Sequence, residues 1–254
     1  MILAIDMGNT NIVVGCIEDG RVLFVERMST DQSKTALEYA IGIKTVLELN
    51  EVDSDKIEGA IISSVVPPLT NVLKTAVNKI IDVDVKVVGP GIKTGLNILL
   101  DNPKAVGADL VVDAVAGITE YGAPLIIIDM GTATTIQVID PKANYVGGVI
   151  IPGVRAALDS LVNKTSQLPK ISLEAPAKTV GKNTIDCMKS GIMCGTAAML
   201  DGMLDRINEE NGYESRVIAT GGIAQVVVPL CKHDIVLDNE LLLKGLYAIY
   251  VKNI

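Results

Sequence analysis

Tryptophan is absent from this chain of 254 residues, phenylalanine occurs once, and aromatic residues make up only 3% of the total. With 49% of the residues hydrophobic, the core must be built from Val, Ile, Leu and Ala, side chains suited to helices packed on sheets. Positive charge is in deficit: 22 Lys and Arg stand against 30 Asp and Glu, scattered rather than clustered. That balance disfavours nucleic-acid binding, which needs a basic face for phosphates, and adhesion to an anionic membrane. Long apolar runs are missing as well. Asp6 interrupts the N-terminal run, no basic segment precedes it, and no stretch reaches the roughly 18 residues of a membrane span, so a soluble, cytoplasmic protein is expected. The single histidine, His233, lies between Lys232 and Asp234 in a polar stretch that reads as surface, which leaves histidine-dependent mechanisms little support. Cys16, Cys187, Cys194 and Cys231 form no CxxC pair and have no histidine at ligand spacing, a pattern of free thiols rather than of zinc or disulfides.

What the chain does have is a repeat. Ile5-Asp6-Met7-Gly8 recurs as Ile128-Asp129-Met130-Gly131, nearly half the chain later. Each copy follows an apolar run and precedes small polar residues, Asn9-Thr10-Asn11 in one case and Thr132-Ala133-Thr134-Thr135 in the other. A strand ending in an acid, a glycine turn and a returning strand form a hairpin suited to a metal-bound phosphate. Asp6 can reach a hydrated divalent ion, and Gly8 lets phosphate oxygens approach backbone amides. Asn9, Thr10 and Asn11 add neutral donors. In the second copy Thr132, directly after the glycine, is the better ligand candidate, whereas Thr134 and Thr135 read equally well as ordinary strand residues.

The pattern predicts strands at 2–5, 12–17, 21–26, 59–64 and 84–88, with Ser29-Thr30-Asp31 offering caps for a helix over 35–49 and Pro67-Pro68 opening another to about 81. A helix from Asn102-Pro103 to about 120 carries Gly107-Ala108-Asp109. Strands at 125–129, 134–140, 145–150, 216–219 and 235–237 and helices at 153–163, 184–209 and 239–251 complete an α/β chain of two similar halves, 1–120 and 121–254, each a mixed sheet flanked by helices. Gly147-Gly148 through Pro152-Gly153 leaves free amides at a helix start, and Gly221-Gly222 follows a strand where bare backbone can meet a flat adenine. Neither matches GxGxxG or a Walker A loop. A carboxylate that orients an alcohol and accepts its proton is what phosphoryl transfer to a hydroxyl requires, and Asp101, Asp109 and Asp113 all compete for that part on spacing alone.

These residues together resemble the type III pantothenate kinases of the acetate kinase, sugar kinase, heat-shock chaperone and actin superfamily. The motifs are Asp6-Met7-Gly8-Asn9-Thr10, Ser63-Ser64-Val65-Val66-Pro67-Pro68-Leu69-Thr70, Gly89-Pro90-Gly91, Gly107-Ala108-Asp109, Asp129-Met130-Gly131-Thr132-Ala133-Thr134, Gly147-Gly148 with Pro152-Gly153, Gly181-Lys182-Asn183-Thr184 and Thr220-Gly221-Gly222, in family order from residue 1 to about 250. The resemblance implies duplicated ribonuclease H-like (actin-like ATPase) halves, a homodimer, and ATP-dependent phosphorylation of the primary hydroxyl of pantothenate, the first step of coenzyme A synthesis. It implies Asp109 as general base. Asp6, Met7, Gly8, Asn9, Thr10, Asn11, Ile12, Val13 and Thr132 would bind ATP, with Gly221 and Gly222. Asp129 would hold a monovalent cation (potassium or ammonium), and magnesium would travel with the nucleotide, reached from Asp6 through water. Leu100, Gly107, Ala108, Asp109, Leu110 and Thr184 would line the pantothenate site. The chain departs from the family there: Leu110 replaces the usual arginine, Leu100 a tyrosine and Asp113 an asparagine. Losing the arginine removes a charge-assisted contact of about 1.5–3 kcal/mol to the pantothenate carboxylate. The alternatives are therefore a paralogous kinase with another small-alcohol acceptor and a nucleotide-binding regulatory protein without turnover.

Overall fold

The computed structural model describes residues 1–254. It separates into two compact units, Met1–Glu120 with Glu240–Ile254, and Tyr121–Asn239. In the first, strands β1 (Ile2–Met7), β2 (Asn11–Glu18) and β3 (Arg21–Ser29) form an antiparallel meander, and β4 (Gly59–Ser64) and β5 (Val85–Val87) add parallel strands beyond β1, giving the order β3-β2-β1-β4-β5. A short strand, β6 (Asn97–Ile98), follows. In the second unit β7 (Leu125–Met130), β8 (Ala133–Ile139) and β9 (Asn144–Pro152) form the same meander, and β10 (Arg216–Thr220) and β11 (Ile235–Leu237) lie parallel beyond β7. Among the strands of this unit the order β9-β8-β7-β10-β11 repeats the first, in a sheet whose sixth strand is β6. The sequence repeat is thus a repeat of topology, with Asp6 and Asp129 at matching places on the first strand of each sheet.

β1 is buried on both faces, as its unbroken apolar run requires. Leu3, Ile5 and Met7 pack with Tyr39, Ile43 and Leu47 of helix α1 (Ala36–Leu49) and with Leu69, Leu73 and Val77 of α2 (Pro67–Asn78). On the other face Ile2 and Ala4 meet Val112 and Val115 of α3 (Ala108–Tyr121) and Leu243, Leu246 and Ile249 of α7 (Leu241–Val251). This corrects the expected second half, 121–254. The last helix belongs to the first unit, because its apolar stripe is buried there at about 1.5–3 kcal/mol for each large side chain. In the second unit Ile126, Ile128 and Met130 pack with Met193, Ala197, Leu200 and Leu204 of the long helix α5 (Thr184–Asn211) and with Val154 of α4 (Val154–Lys164) and Ala224 and Val227 of the single-turn α6 (Ala224–Val227). No helix is long and apolar enough to cross a membrane.

Two local expectations change. The cap of α1 is Thr35, whose hydroxyl accepts from the Glu38 N–H while the Glu38 carboxylate takes the Thr35 N–H, a reciprocal pair that satisfies two end donors; Ser29, Thr30 and Asp31 are not its caps. The helix expected from 102 is broken: Pro103–Ala105 forms one tight turn, Val106 is extended, and α3 begins at Ala108. Asp109 therefore lies in the first turn of α3 rather than inside a longer helix.

All four cysteines are free. Burial pushes the Cys16 thiol up to about 12 and the Cys231 thiol up to about 11, whereas Cys187 is exposed. At pH 8 a thiol reagent should therefore modify Cys187 in the folded protein and reach Cys16 only after unfolding. Equal labelling rates at the two sites, read by peptide mass, would contradict the packing described here. His233 Nε2 lies 2.9 Å from Asp205 Oδ1, and the Lys232 and His233 amides donate to Asp201. The histidine ties the turn before β11 to α5.

Candidate functional site

In the first unit the ends of β1 and β4 gather the candidate residues. Asp6 is the register partner of Ser63 on β4, so both side chains leave the same face of the sheet. Both are buried, and the Ser63 hydroxyl has no hydrogen-bond partner within the protein. An orphaned buried hydroxyl costs about 1–3 kcal/mol, which singles out this spot as one shaped for a polar ligand. Gly8 closes the turn after β1 by donating its N–H to the Asn11 carbonyl at 2.9 Å, and Asn9, Thr10 and Asn11 are exposed at its tip. Met7 and Ile12 stand differently: their side chains are in the apolar core, so only their backbones remain for a ligand. Val13 is half-buried.

Asp109 reaches the same end of the sheet. Its carboxylate accepts the Leu110 N–H at 2.8 Å, which fixes the side chain back over the first turn of α3. Gly107 makes the room: a Cβ there would strike Asp109 Oδ1 and stand 3.7 Å from Val65 Cγ1. Val65 in turn donates its N–H to the Met7 carbonyl at 3.0 Å, one residue before Gly8. Val65 thus stands beside Gly107 at the start of α3 and bonds the residue just before the Gly8–Asn11 turn. Burial raises the Asp109 carboxyl above its ordinary value, against the pull of the backbone N–H groups of Leu110 and Asp109 itself. Of the two competing acids, Asp101 is exposed and Asp113 is wholly buried; Asp109 alone of the three is half-buried. Ala108, Leu110 and Leu100 are half-buried around it in the sequence.

The second unit repeats the arrangement with different side chains. Asp129 is flanked in register by Thr135 on β8 and Thr220 on β10, and the Thr135 hydroxyl has no partner within the protein. A carboxylate between hydroxyls is an all-oxygen set of the kind that hard cations prefer. Nowhere do three or more His, Cys, Asp or Glu side chains converge on a metal-sized space, so a cation here would rest on one carboxylate, hydroxyls and carbonyls. Gly131 donates to the Ala133 carbonyl at 3.0 Å, leaving Thr132 exposed on the turn. Gly153 and Gly221 back that turn: a Cβ on Gly153 would lie 2.7 Å from the Gly131 carbonyl, and one on Gly221 would lie 2.6 Å from that of Met130. Gly222 has open space around it, as a surface for a flat ring demands. Thr184 opens α5, exposed, directly after the cap Asn183, whose side chain accepts the Asp186 N–H at 2.9 Å.

Thr30, Ser63 and Thr220 belong to these clusters without having been singled out as ligands or supports from the sequence. Alternation along β4 could have placed Ser63 beside Asp6, and the Thr35-x-x-Glu38 pattern could have released Thr30 from a capping role. The contacts of Thr30 itself join positions 22 apart, and no periodicity announces them.

Comparison with known proteins bears on what these sites serve. The family model for type III pantothenate kinase matches residues 2–206. A type III pantothenate kinase from Bacillus cytotoxicus is 45% identical over 253 residues, spanning 100% of this chain and 97% of that protein. The chain belongs to the type III pantothenate kinase family. Among solved structures, the activator of 2-hydroxyisocaproyl-CoA dehydratase from Clostridium difficile, which carries bound ADPNP, aligns with a TM-score of 0.59 at 11% identity, covering 99% of this chain and 94% of that one. Component A of (R)-2-hydroxyglutaryl-CoA dehydratase from Acidaminococcus fermentans aligns with a TM-score of 0.58 at 15% identity, covering 98% and 96%. At such identities the likeness is one of fold alone, mixed sheets flanked by helices.

Proposed function

We infer that the protein transfers the γ-phosphoryl group of ATP to the primary hydroxyl of pantothenate, yielding ADP and 4'-phosphopantothenate at the entry to coenzyme A synthesis. The observation that supports this reading is the place of Val65, which bonds Met7 just before the Gly8–Asn11 turn and stands beside Gly107 at the start of the Asp109 turn. A half-buried carboxylate and a glycine turn thus sit at one end of one sheet, outside the carboxyl ends of β1 and β4, where ligands bind in open α/β sheets. Asp109 orients the acceptor hydroxyl and takes its proton as the new O–P bond forms and the bond to the ADP oxygen breaks. Its raised pKa makes it a stronger base than an exposed aspartate. The amides and side chains of Asn9, Thr10 and Asn11 hold the donor phosphates across the turn that Gly8 closes, and Asp6 and Ser63 stand behind them. Magnesium bound with the nucleotide neutralises phosphate charge; Asp6 would hold it through water. Asp129, with Thr135 and Thr220, would hold potassium or ammonium. In the second unit Thr132, Gly222 and Thr184 remain the residues offered to the substrates, with bare backbone at Gly222 for a flat ring. The working form is a cytoplasmic homodimer.

ADP release with and without pantothenate, in potassium and then in sodium buffer, tests the reading. Release that needs pantothenate and potassium is expected; release indifferent to pantothenate, or elicited only by other alcohols, would sink it. Leu110 sharpens the acceptor. Leu110→Arg should restore a contact to the pantothenate carboxylate and lower the pantothenate KM by about tenfold or more, on the usual strength of a charge-assisted hydrogen bond. An unchanged KM would mean that the carboxylate is bound elsewhere.

A further inference from the structure

The Gly8–Asn11 turn is not held by its own hairpin alone. Strand β3 ends at its last partner pair with β2, Asn11 and Ser29, and Thr30, the next residue, makes two bonds to the turn. Its N–H donates to the Thr10 carbonyl at 2.9 Å, and its hydroxyl donates to the Gly8 carbonyl at 2.7 Å. In a trans peptide the C=O and N–H point in opposite directions, so anchoring the Gly8 carbonyl fixes the direction of the Asn9 N–H, away from Thr30. Thr30 is itself held. The next residue, Asp31, donates its N–H to the Tyr39 hydroxyl at 3.0 Å and accepts that hydroxyl's proton on its carbonyl at 2.7 Å. Tyr39 is wholly buried in α1 among Ile43, Leu47 and Leu3. Asp31 also accepts the Ser33 N–H at 2.9 Å and the Ser33 hydroxyl at 2.7 Å, which stiffens the segment leading to the Thr35 cap. A strap thus runs from the core-anchored Tyr39 through Asp31 and Thr30 to the turn.

We propose that Thr30 is a positioning residue for ATP: its hydroxyl presets the Asn9 amide of the Gly8–Asn11 turn for the donor phosphates, with Tyr39 as its anchor. The proposal rests on the reading of that turn as the nucleotide loop. Preorganisation of this kind lowers the ordering cost at binding, so its loss falls on the nucleotide and not on the acceptor.

The test uses the full-length protein with Mg-ATP and pantothenate. Thr30→Val keeps shape and removes the donor; Thr30→Ser restores the donor. Thr30→Val is expected to raise the ATP KM and the Mg-ATP Kd about fivefold, the usual worth of one hydrogen bond, with the pantothenate KM unchanged and Thr30→Ser close to wild type. Tyr39→Phe should move the ATP KM in the same direction. An unchanged ATP KM and Kd in Thr30→Val would overturn the proposal while leaving the nucleotide loop intact. So would an equal rise in both substrate KM values with a lowered Tm that Thr30→Ser does not repair, since that marks a merely structural role. A wild-type protein that fails to bind Mg-ATP would instead remove the reading of the loop on which the proposal stands.

Discussion

Asp109→Asn is expected to lower turnover on pantothenate by about 10²–10⁴-fold, the usual worth of a positioned general base, while leaving Mg-ATP affinity essentially unchanged. The amide keeps the shape of the carboxylate and can still accept the Leu110 N–H, now bonded at 2.8 Å, so the first turn of α3 should survive. What it cannot do is accept the alcohol proton. The same substitution should leave the protein at least as stable at neutral pH. Burial raises the Asp109 carboxyl, which means that the folded state binds its proton more tightly than the unfolded chain does. The charged form therefore costs stability at neutral pH, and that cost is relieved as pH falls through the raised folded-state value. Asparagine carries no such cost. For activity the sign is opposite: protonated Asp109 cannot take a proton, so kcat/KM should fall on the acid side with a midpoint above the ordinary aspartate value. A variant that keeps wild-type turnover, or an acid limb at or below that of a free aspartate, would remove Asp109 from the chemistry.

Gly221→Ala should cost about 2–4 kcal/mol of stability, from adding a side chain to a left-handed backbone and forcing it into a packed region. Gly221 has φ +96°, and a Cβ there would lie 2.6 Å from the Met130 carbonyl oxygen and 2.7 Å from Met130 N and C. All three are main-chain atoms of β7, so neither a rotamer change nor a flexible side chain offers relief. The damage would land next to Asp129 and the Gly131–Thr132 turn. Gly222→Ala is the control. Nothing lies within 4 Å of a Cβ at that position, so its stability should match wild type and any effect should fall on ATP binding. Thermal unfolding of the two variants separates packing from ligand approach; equal melting temperatures would show that the β7–β10 end yields more easily than its geometry implies.

The repeated Ile-Asp-Met-Gly led to the correct architecture because a single four-residue signal fixes several things at once: the end of a buried strand, the turn that reverses it and the acid left at its mouth. Matching strand orders in the two units follow from the same alternation read twice. Partner choice over long distances was not legible. The sequence of α7 shows an apolar stripe, but nothing in 241–251 says that Ile2 and Ala4, rather than the nearer β10 and β11, will cover it. The break before α3 was not legible, since the pattern from Asn102-Pro103 runs one helix through Gly107; the reason for it, space for the Asp109 carboxylate, exists only once the side chains are placed. Thr30 looked like a cap because threonine before a helix usually is one; a better cap five residues on took that role and left its hydroxyl for the turn. Of the three acids around α3, exposure separates Asp101 and burial separates Asp113 from Asp109, and neither can be read from spacing.

The central claim is that the turn after β1 presents the phosphoryl group and Asp109 presents the alcohol. The most direct measurement follows the phosphoryl group itself: ATP labelled in the γ-phosphate, incubated with pantothenate, magnesium and potassium, with wild type and Asp109→Asn side by side. Label recovered on 4'-phosphopantothenate with wild type, and lost with the variant although Mg-ATP still binds, is the predicted result. Label released only as inorganic phosphate, or transferred equally by both proteins, would contradict it.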